Sequence, residues 1–495
     1  MSANGDGRLD PRTAPAFPVA ALKVLGDSQV RKNVRHATGV IERKRAKVVA
    51  EMDDWEALRE SGKQIREHTM RYLDAYLLEF EANCIRAGGT VHWARDADEA
   101  QQIVIALARA ATEEAGQHEV IKIKSMTTEE IRLNDALEAA GIHPIETDLA
   151  ELIIQLGNDQ PSHIVVPALH KNRQQIREIF RREMNLPHLG ETPQDLADAA
   201  RLFLRDKFLS VETAVSGANF LIAETGGVCV VESEGNGRMC LTLSKTLITI
   251  AGIDKVLPRY QDLEVMLQLL PRSATGERMN PYNSIWTGVQ ECDGPEAFHI
   301  ILLDNGRTDV LADEAGRQTL HCIRCGACQN TCPVYRETGG HAYGSVYAGP
   351  IGAILTPQLM KMEHAESLPF ASSLCGACYE VCPVKINIPE VLVHLRSRIV
   401  QKKTAGLGIL TSPEGLAMRA IGRVFLSERR FRAAQRLGRL AESPLVRRDG
   451  EGERWLSWLP GLLGGWTSVR DLRAMPKQSF REWFEQRKKD GNRAS

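Results

Sequence analysis

The chain has 495 residues, 43% of them hydrophobic and 25% charged, with a net charge of -1. That length is too great for one core and points to about three folding units. The composition excludes global disorder, and the near-neutral charge singles out no class of partner.

The first thirty residues carry Asp6, Asp10 and several prolines without an apolar run of signal-peptide length, which argues against export. The longest charge-free span, Trp455 to Val469, is broken by Pro460 and three glycines, which argues against a membrane-spanning helix. The expected location is the cytoplasm. There disulfides are rare, so seven of the eleven cysteines falling between 322 and 382 point to metal.

From about Glu42 to Ala87 apolar residues recur at three- and four-residue spacing, through EALRESGKQIREHTMRYLDAYLLEF, and predict helix. Runs at Val120–Ile123, Ile142–Ile145, Ile164–Val166, Phe220–Ile222, Val228–Val231, Leu247–Ile250 and His299–Leu303 then predict buried strands. Amphipathic helices lie between several of them, one opening near Thr128 with first-turn carboxylates. The alternation predicts an α/β domain with a largely parallel sheet over 70–305, behind an N-terminal helical segment, 1–69.

Composition changes near 306. The segment 306–395 holds the clustered cysteines and the stretch GGHAYGSVYAGPIGAIL, which predicts loops wrapped around something other than a side-chain core. From 391 onward 22 Lys and Arg stand against 10 Asp and Glu, with Trp455, Trp458, Trp466 and Trp483 interleaved, so 396–495 reads as a basic, helical C-terminal region.

The first motif is Cys322-Ile323-Arg324-Cys325-Gly326-Ala327-Cys328-Gln329-Asn330-Thr331-Cys332-Pro333, the C-x2-C-x2-C-x3-C-P spacing of two-cluster ferredoxins. Three thiolates so spaced curl around one cubane, and the small Gly326 and Ala327 let backbone N–H groups approach its sulfides. The fourth cysteine of such a run ligates the other cluster. The second motif runs Ser372-Ser373-Leu374-Cys375-Gly376-Ala377-Cys378-Tyr379-Glu380-Val381-Cys382-Pro383, with Ser372 in the place of a first cysteine.

The crossing rule assigns Cys322, Cys325, Cys328 and Cys382 to a first [4Fe-4S] cluster. It leaves Cys332, Cys375 and Cys378 for a second. That second centre is open between a [3Fe-4S] form, a four-iron form with a labile iron, and a four-iron form completed by Ser372, water, a partner or substrate; the preferred reading is four irons with one weakly held. Zinc is the rival metal, but four cysteines within eleven residues and a repeated Cys-Pro suit a cubane better than one tetrahedral ion.

His321 and Arg324 are read either as positive charges that tune a cluster or as solvated loop residues. Tyr335, Tyr343 and Tyr347 either shield the clusters or belong to ordinary core. Neither a GxxxxGK[ST] loop nor a GxGxxG fingerprint occurs, so no nucleotide or flavin site is supported, and the cysteine spacing of radical S-adenosylmethionine enzymes is absent. Glu224-Thr225-Gly226-Gly227 is either an anion-accepting loop or a plain hairpin turn. Cys84, Cys229, Cys240 and Cys292 have no ligand spacing and are expected to be buried thiols. The segment WLSWLPGLLGGW suits a protein or membrane interface better than nucleic acid, since its flanking charges lie outside it.

The stretches HCIRCGACQNTCPVYRETGGHAYGSVYAGPIGAILTP and SSLCGACYEVCPVKINIPEVL closely resemble the lactate utilization protein B family, as do VIKIKSMTTEEI, SHIVVPALHK and ANFLIAETGGVCVVESEGNGR. The likeness runs from about residue 40 to past 480. It implies an N-terminal LUD domain, related to sugar-isomerase and CoA-transferase-like α/β folds, then a two-cluster ferredoxin-type module and a basic C-terminal domain. It also implies a place in a three-part system that oxidises L-lactate to pyruvate, with a cysteine-rich-domain subunit and a second LUD protein as partners. Serine at the position of Ser372 is similar to the family pattern.

The expected function is therefore electron transfer within an L-lactate oxidising complex, toward an acceptor the sequence does not name. The rivals are a self-contained enzyme acting on a small organic acid and a redox-sensing regulator that binds nucleic acid.

Overall fold

Apolar runs such as Thr246–Gly252 and Ala297–Leu303 have no polar face to show to water, so they form strands covered on both sides. In the computed structural model, which describes residues 9–292, 294–404, 413–468 and 470–491, they are the middle of a six-stranded parallel sheet. The strands of the first unit, Met1–Ile399, are β1 (Thr90–Ala94), β2 (Glu119–Lys122), β3 (His143–Glu146), β4 (Thr213–Gly217), β5 (Phe220–Ile222), β6 (Gly227–Glu232), β7 (Thr246–Gly252), β8 (Val256–Leu257), β9 (Tyr282–Trp286) and β10 (Ala297–Leu303). The parallel sheet runs β1-β10-β7-β4-β2-β3, and a smaller sheet runs β8-β5-β6-β9.

Helices cover both faces of the large sheet. Asp96 caps the helix Ala97–Glu114 by accepting the Glu99 N–H at 2.9 Å, and that helix lays Ala100, Val104 and Ala108 onto Ile248, Ile250 and Ile301. The other face packs Leu152, Phe180, Leu204 and Phe208 against Leu247, Ile300 and Leu302. The α/β expectation holds, with one exception. Ile164–Val166 is not a strand: the buried His163 ring takes the Val165 and Val166 N–H groups on Nδ1, each at 3.0 Å, and curls the run into a loop.

The helix expected from Glu42 to Ala87 is broken. It begins earlier and comprises α1 (Phe17–Leu25), α2 (Ser28–Val49), α3 (Trp55–Arg71) and α4 (Leu73–Arg86). The helix near Thr128 is Met126–Glu130, and its cap is Ser125, whose Oγ accepts from Thr127 and Thr128. The Glu224–Gly227 segment is a hairpin turn. Gly226 has φ 69°, and a Cβ there would lie 2.3 Å from the Cys84 nitrogen, so the turn is pressed onto the end of α4. Asn83 further engages it through the Ala223 and Glu224 carbonyls at 2.7 and 3.0 Å, leaving a closed turn in place of an anion loop.

Beyond the sheet the unit is helical. GGHAYGSVYAGPIGAIL, expected as loops, ends in the helix Gly349–Leu359, which is almost wholly buried because its side chains are small or aliphatic on every face. The helix Ile388–Thr404 buries Val391, Leu392 and Leu395 with Val384, Ile386 and Ile388.

The second unit, Val400–Ser495, contains the helices Pro413–Phe425, Glu428–Glu442 and Phe480–Gly491. It also contains a small antiparallel sheet, β11 (Arg447–Arg448), β12 (Arg454–Leu456) and β13 (Leu472–Arg473), which the helical expectation missed. Trp455 is fixed on β12, donating from Nε1 to Asp449 at 2.8 Å, whereas Trp458 and Trp466 are exposed. Among the described residues no helix is long and apolar enough to cross a membrane.

Candidate functional site

Two loops with the same backbone design carry the clustered cysteines. Arg324 and Gly326 take left-handed φ values of 62° and 73°, and Leu374 and Gly376 repeat them at 56° and 84°. Each loop then enters a short helix, Ala327–Thr331 or Ala377–Glu380, that holds Cys328 or Cys378. The Arg324 N–H donates to Cys322 Sγ at 3.4 Å, and the Leu374 N–H donates to Ser372 Oγ at 3.1 Å. Ser372 thus occupies the seat of a thiol with the same local hydrogen bond.

Folding sorts the seven thiols into two groups. Cys322, Cys325, Cys328 and Cys382 line one cavity, walled by Ile323, Ile351, Val384, Ile386 and Ile388. Cys325, Cys328 and Cys382 are buried there and Cys322 is half-buried. The second group is Cys332, Cys375 and Cys378: burial and then Cys375 raise the Cys332 thiol pKa, and burial, Cys332 and Cys375 push Cys378 up to about 12. Cys375 is exposed, so this group reaches the surface.

Cations surround the first group. Arg59 donates to the carbonyls of Cys382 and Tyr379 at 3.0 and 3.1 Å, Arg45 to Val381 at 3.0 Å, and Arg66 to Leu320 at 2.9 Å. Sequence reasoning overlooked all three. The signal was present in α3, where Trp55, Arg59, Gly62, Arg66 and Met70 recur on one helical face and are all buried.

Arg324 and His321 are also buried, against the solvated-loop alternative. His321 is no positive charge: burial and the Arg66 guanidinium push its pKa down to about 3. Arg324 is charged and pairs with Asp254 at 3.3 Å. Asp254 also binds Arg307 at 2.6 Å, and Arg307 binds Glu130 at 2.8 Å. Tyr347 donates to Glu130 at 2.6 Å and lies under the Arg324 guanidinium at 5.1 Å. This buried network ties the first cysteine loop to the ends of β7 and β10.

Tyr335 and Tyr343 pack with Cys332 in one apolar cluster, so they are at once core and a cover for the second group. Cys84, Cys229 and Cys240 are buried thiols whose pKa values burial pushes to about 11, 12 and 12. Cys292 departs from that expectation. It is exposed, with φ 60°, in the turn before β10.

Comparison with known proteins follows the same division. Residues 77–303 match the LUD domain and residues 318–386 the 4Fe-4S dicluster domain. Lactate utilization protein B 1 of Bacillus mycoides is 42% identical over 94% of this chain and 95% of its own length. Lactate utilization protein B of Bacillus subtilis is 41% identical over 95% and 96%, and that of Shouchella clausii 42% over 96% and 98%. The chain belongs to the lactate utilization protein B family.

The donor set of this family member fits iron–sulfur chemistry. Four thiols converge in an apolar-walled cavity, and burial and mutual proximity raise the pKa of Cys325, Cys328 and Cys382, the last to about 11. Thiolates there require a compensating cation, which iron supplies. Backbone N–H groups of Arg324, Tyr335 and Ile386 meanwhile reach the sulfurs of Cys322, Cys332 and Cys382 at 3.4, 3.5 and 3.3 Å, as they do for cluster ligands. The matched dicluster domain sets the zinc alternative aside.

Proposed function

We propose that this protein is the iron–sulfur electron-transfer subunit of a cytoplasmic complex that oxidises L-lactate to pyruvate. The observation that carries the reading is two thiol groups side by side, one enclosed and one reaching the surface. In this reading Cys322, Cys325, Cys328 and Cys382 hold a first [4Fe-4S] cluster, and Cys332, Cys375 and Cys378 hold a second with the Ser372 oxygen as its weak fourth ligand.

Such clusters accept one electron each, so an adjacent pair matches the two electrons released when a 2-hydroxy acid becomes a 2-oxo acid. The chain sets their environment. Arg45, Arg59, Arg66 and Arg324 offset the negative charge of the enclosed centre and favour its reduction. At the other centre, Cys375, Leu374 and Tyr379 are exposed and offer electrons to a partner surface. The partners proposed are a cysteine-rich-domain subunit and a second LUD protein. The exposed Trp458 and Trp466 suit a peripheral protein or membrane contact better than nucleic acid.

Deletion of the gene in a strain without another lactate dehydrogenase is expected to abolish growth on L-lactate, and unimpaired growth overturns the reading. A second experiment isolates Ser372. Under mild oxidation of anaerobically purified protein, Mössbauer and spin-resonance spectra should show the second centre losing one iron, and Ser372→Cys should retain it. Equal retention in both proteins counts against Ser372 as the weak ligand.

A further inference from the structure

The α/β domain has a cavity of about 400 Å³ beyond the carboxyl ends of β2 and β4, lined there by Ile123, Lys124, Gly217 and Asn219. β2 leads to its neighbour β3 on one side, and β4 lies beside β7 on the other. The crevice between them is therefore a topological switch point, where open α/β sheets bind ligands. Its size is that of an ordinary small-molecule site.

The cations lining this cavity differ in one respect. Lys124 pairs with Glu151 at 3.2 Å and Arg324 with Asp254 at 3.3 Å. Lys255 is only 8% exposed; the neighbouring Asp254 carboxylate favours its charge but is already bound by Arg307 and Arg324, and among the described residues no group hydrogen-bonds or ion-pairs with the Lys255 ammonium itself. An ammonium so buried, with only a share of one carboxylate, is costly, and an anion in the cavity relieves the cost. Asp148, Glu232, Glu234 and Glu277 also line the cavity; the first three already accept backbone N–H groups, and a remaining carboxylate oxygen can accept a hydroxyl on the same ligand.

Arg324 lines both this cavity and the one formed by Cys322, Cys325, Cys328 and Cys382. A ligand held by Lys255 therefore lies next to the enclosed thiol group and not the exposed one. We propose that this cavity binds a small 2-hydroxy or 2-oxo carboxylate, its carboxylate on Lys255, beside the first cysteine loop. The choice of acid rests on the function proposed above; the anion requirement rests on Lys255.

The test is calorimetric titration of the anaerobically purified, cluster-loaded full chain with L-lactate and with pyruvate. Saturable binding of at least one is expected, weakened about tenfold or more in Lys255→Gln and largely kept in Lys255→Arg, with iron, sulfide and visible spectrum unchanged. Should Lys255→Gln lose its clusters, Ala218→Phe, which fills the cavity from the loop after β4, is expected to lose binding while keeping them. The inference falls if neither acid binds, if Lys255→Gln binds undiminished, or if Ala218→Phe does. Because binding is read on the isolated chain, its failure leaves the electron-transfer reading standing, whereas growth of the deletion strain overturns that reading alone.

Discussion

Cys382→Ala is expected to lower the iron content of the anaerobically purified protein from about eight to about four per chain, with matching loss of acid-labile sulfide. Cys382 belongs to the second motif in sequence but to the enclosed group in space, where it shares a cavity with Cys322, Cys325 and Cys328. Its loss therefore removes the first centre and leaves Cys332, Cys375 and Cys378 untouched. The reciprocal variant, Cys332→Ala, lies in the first motif and should remove only the surface-facing centre. Spectra that assign each loss to the motif of the mutated cysteine would refute the crossing. Cys382→Ala should also be the less stable protein, since the wall of Val384, Ile386 and Ile388 closes directly on the affected centre.

Asp254→Ala is expected to cost about 3–5 kcal/mol of folding stability, because it leaves Arg307 and Arg324 buried without their shared carboxylate. Thermal or denaturant unfolding of the loaded protein measures it, and a loss under about 1 kcal/mol would contradict the role given to the network. The effect also has a pH signature. Burial raises the Asp254 pKa, but Arg307, Arg324 and Lys255 outweigh it and hold the carboxyl well below the ordinary range. The stabilisation is thus complete above the unfolded value near 4 and is lost as pH falls toward the folded one. The gap between the unsubstituted and Asp254→Ala proteins should be full at neutral pH and narrow in acid.

The cysteine loops were legible because cluster ligation demands thiols at short fixed spacing, and seven of them fall within sixty-one residues. The long strands β7 and β10 were legible for a similar reason: a run apolar at every position has few places to go. β4, Thr213–Gly217, escaped because its fully buried residues are small or hydroxylated, Ser216 bonding Thr249 across the sheet at 2.7 Å. Ile164–Val166 misled because its side chains are apolar for another purpose. Val165 approaches Gly326 so closely that a Cβ there would meet it at 3.3 Å, and the Ile164 N–H bonds Gln329 at 3.3 Å. That run is the floor beneath a cysteine loop, a tertiary role no local pattern announces. The arginines of α2 and α3 were hidden by distance, some three hundred residues from the thiols they face.

That distance orders events during synthesis. Arg45, Arg59 and Arg66 leave the ribosome long before Cys382 does, and domains generally form from the N-terminus onward. Until iron and sulfide arrive, these guanidinium groups lack a cluster's negative charge and rely on what the chain itself supplies, Glu56 for Arg59 and Asp254 for Arg66, so the α2–α3 pair is expected to be held less firmly. Cofactor delivery is then expected to tighten the docking of these helices, and a chain made without iron should be cut by proteases near α2 and α3 first.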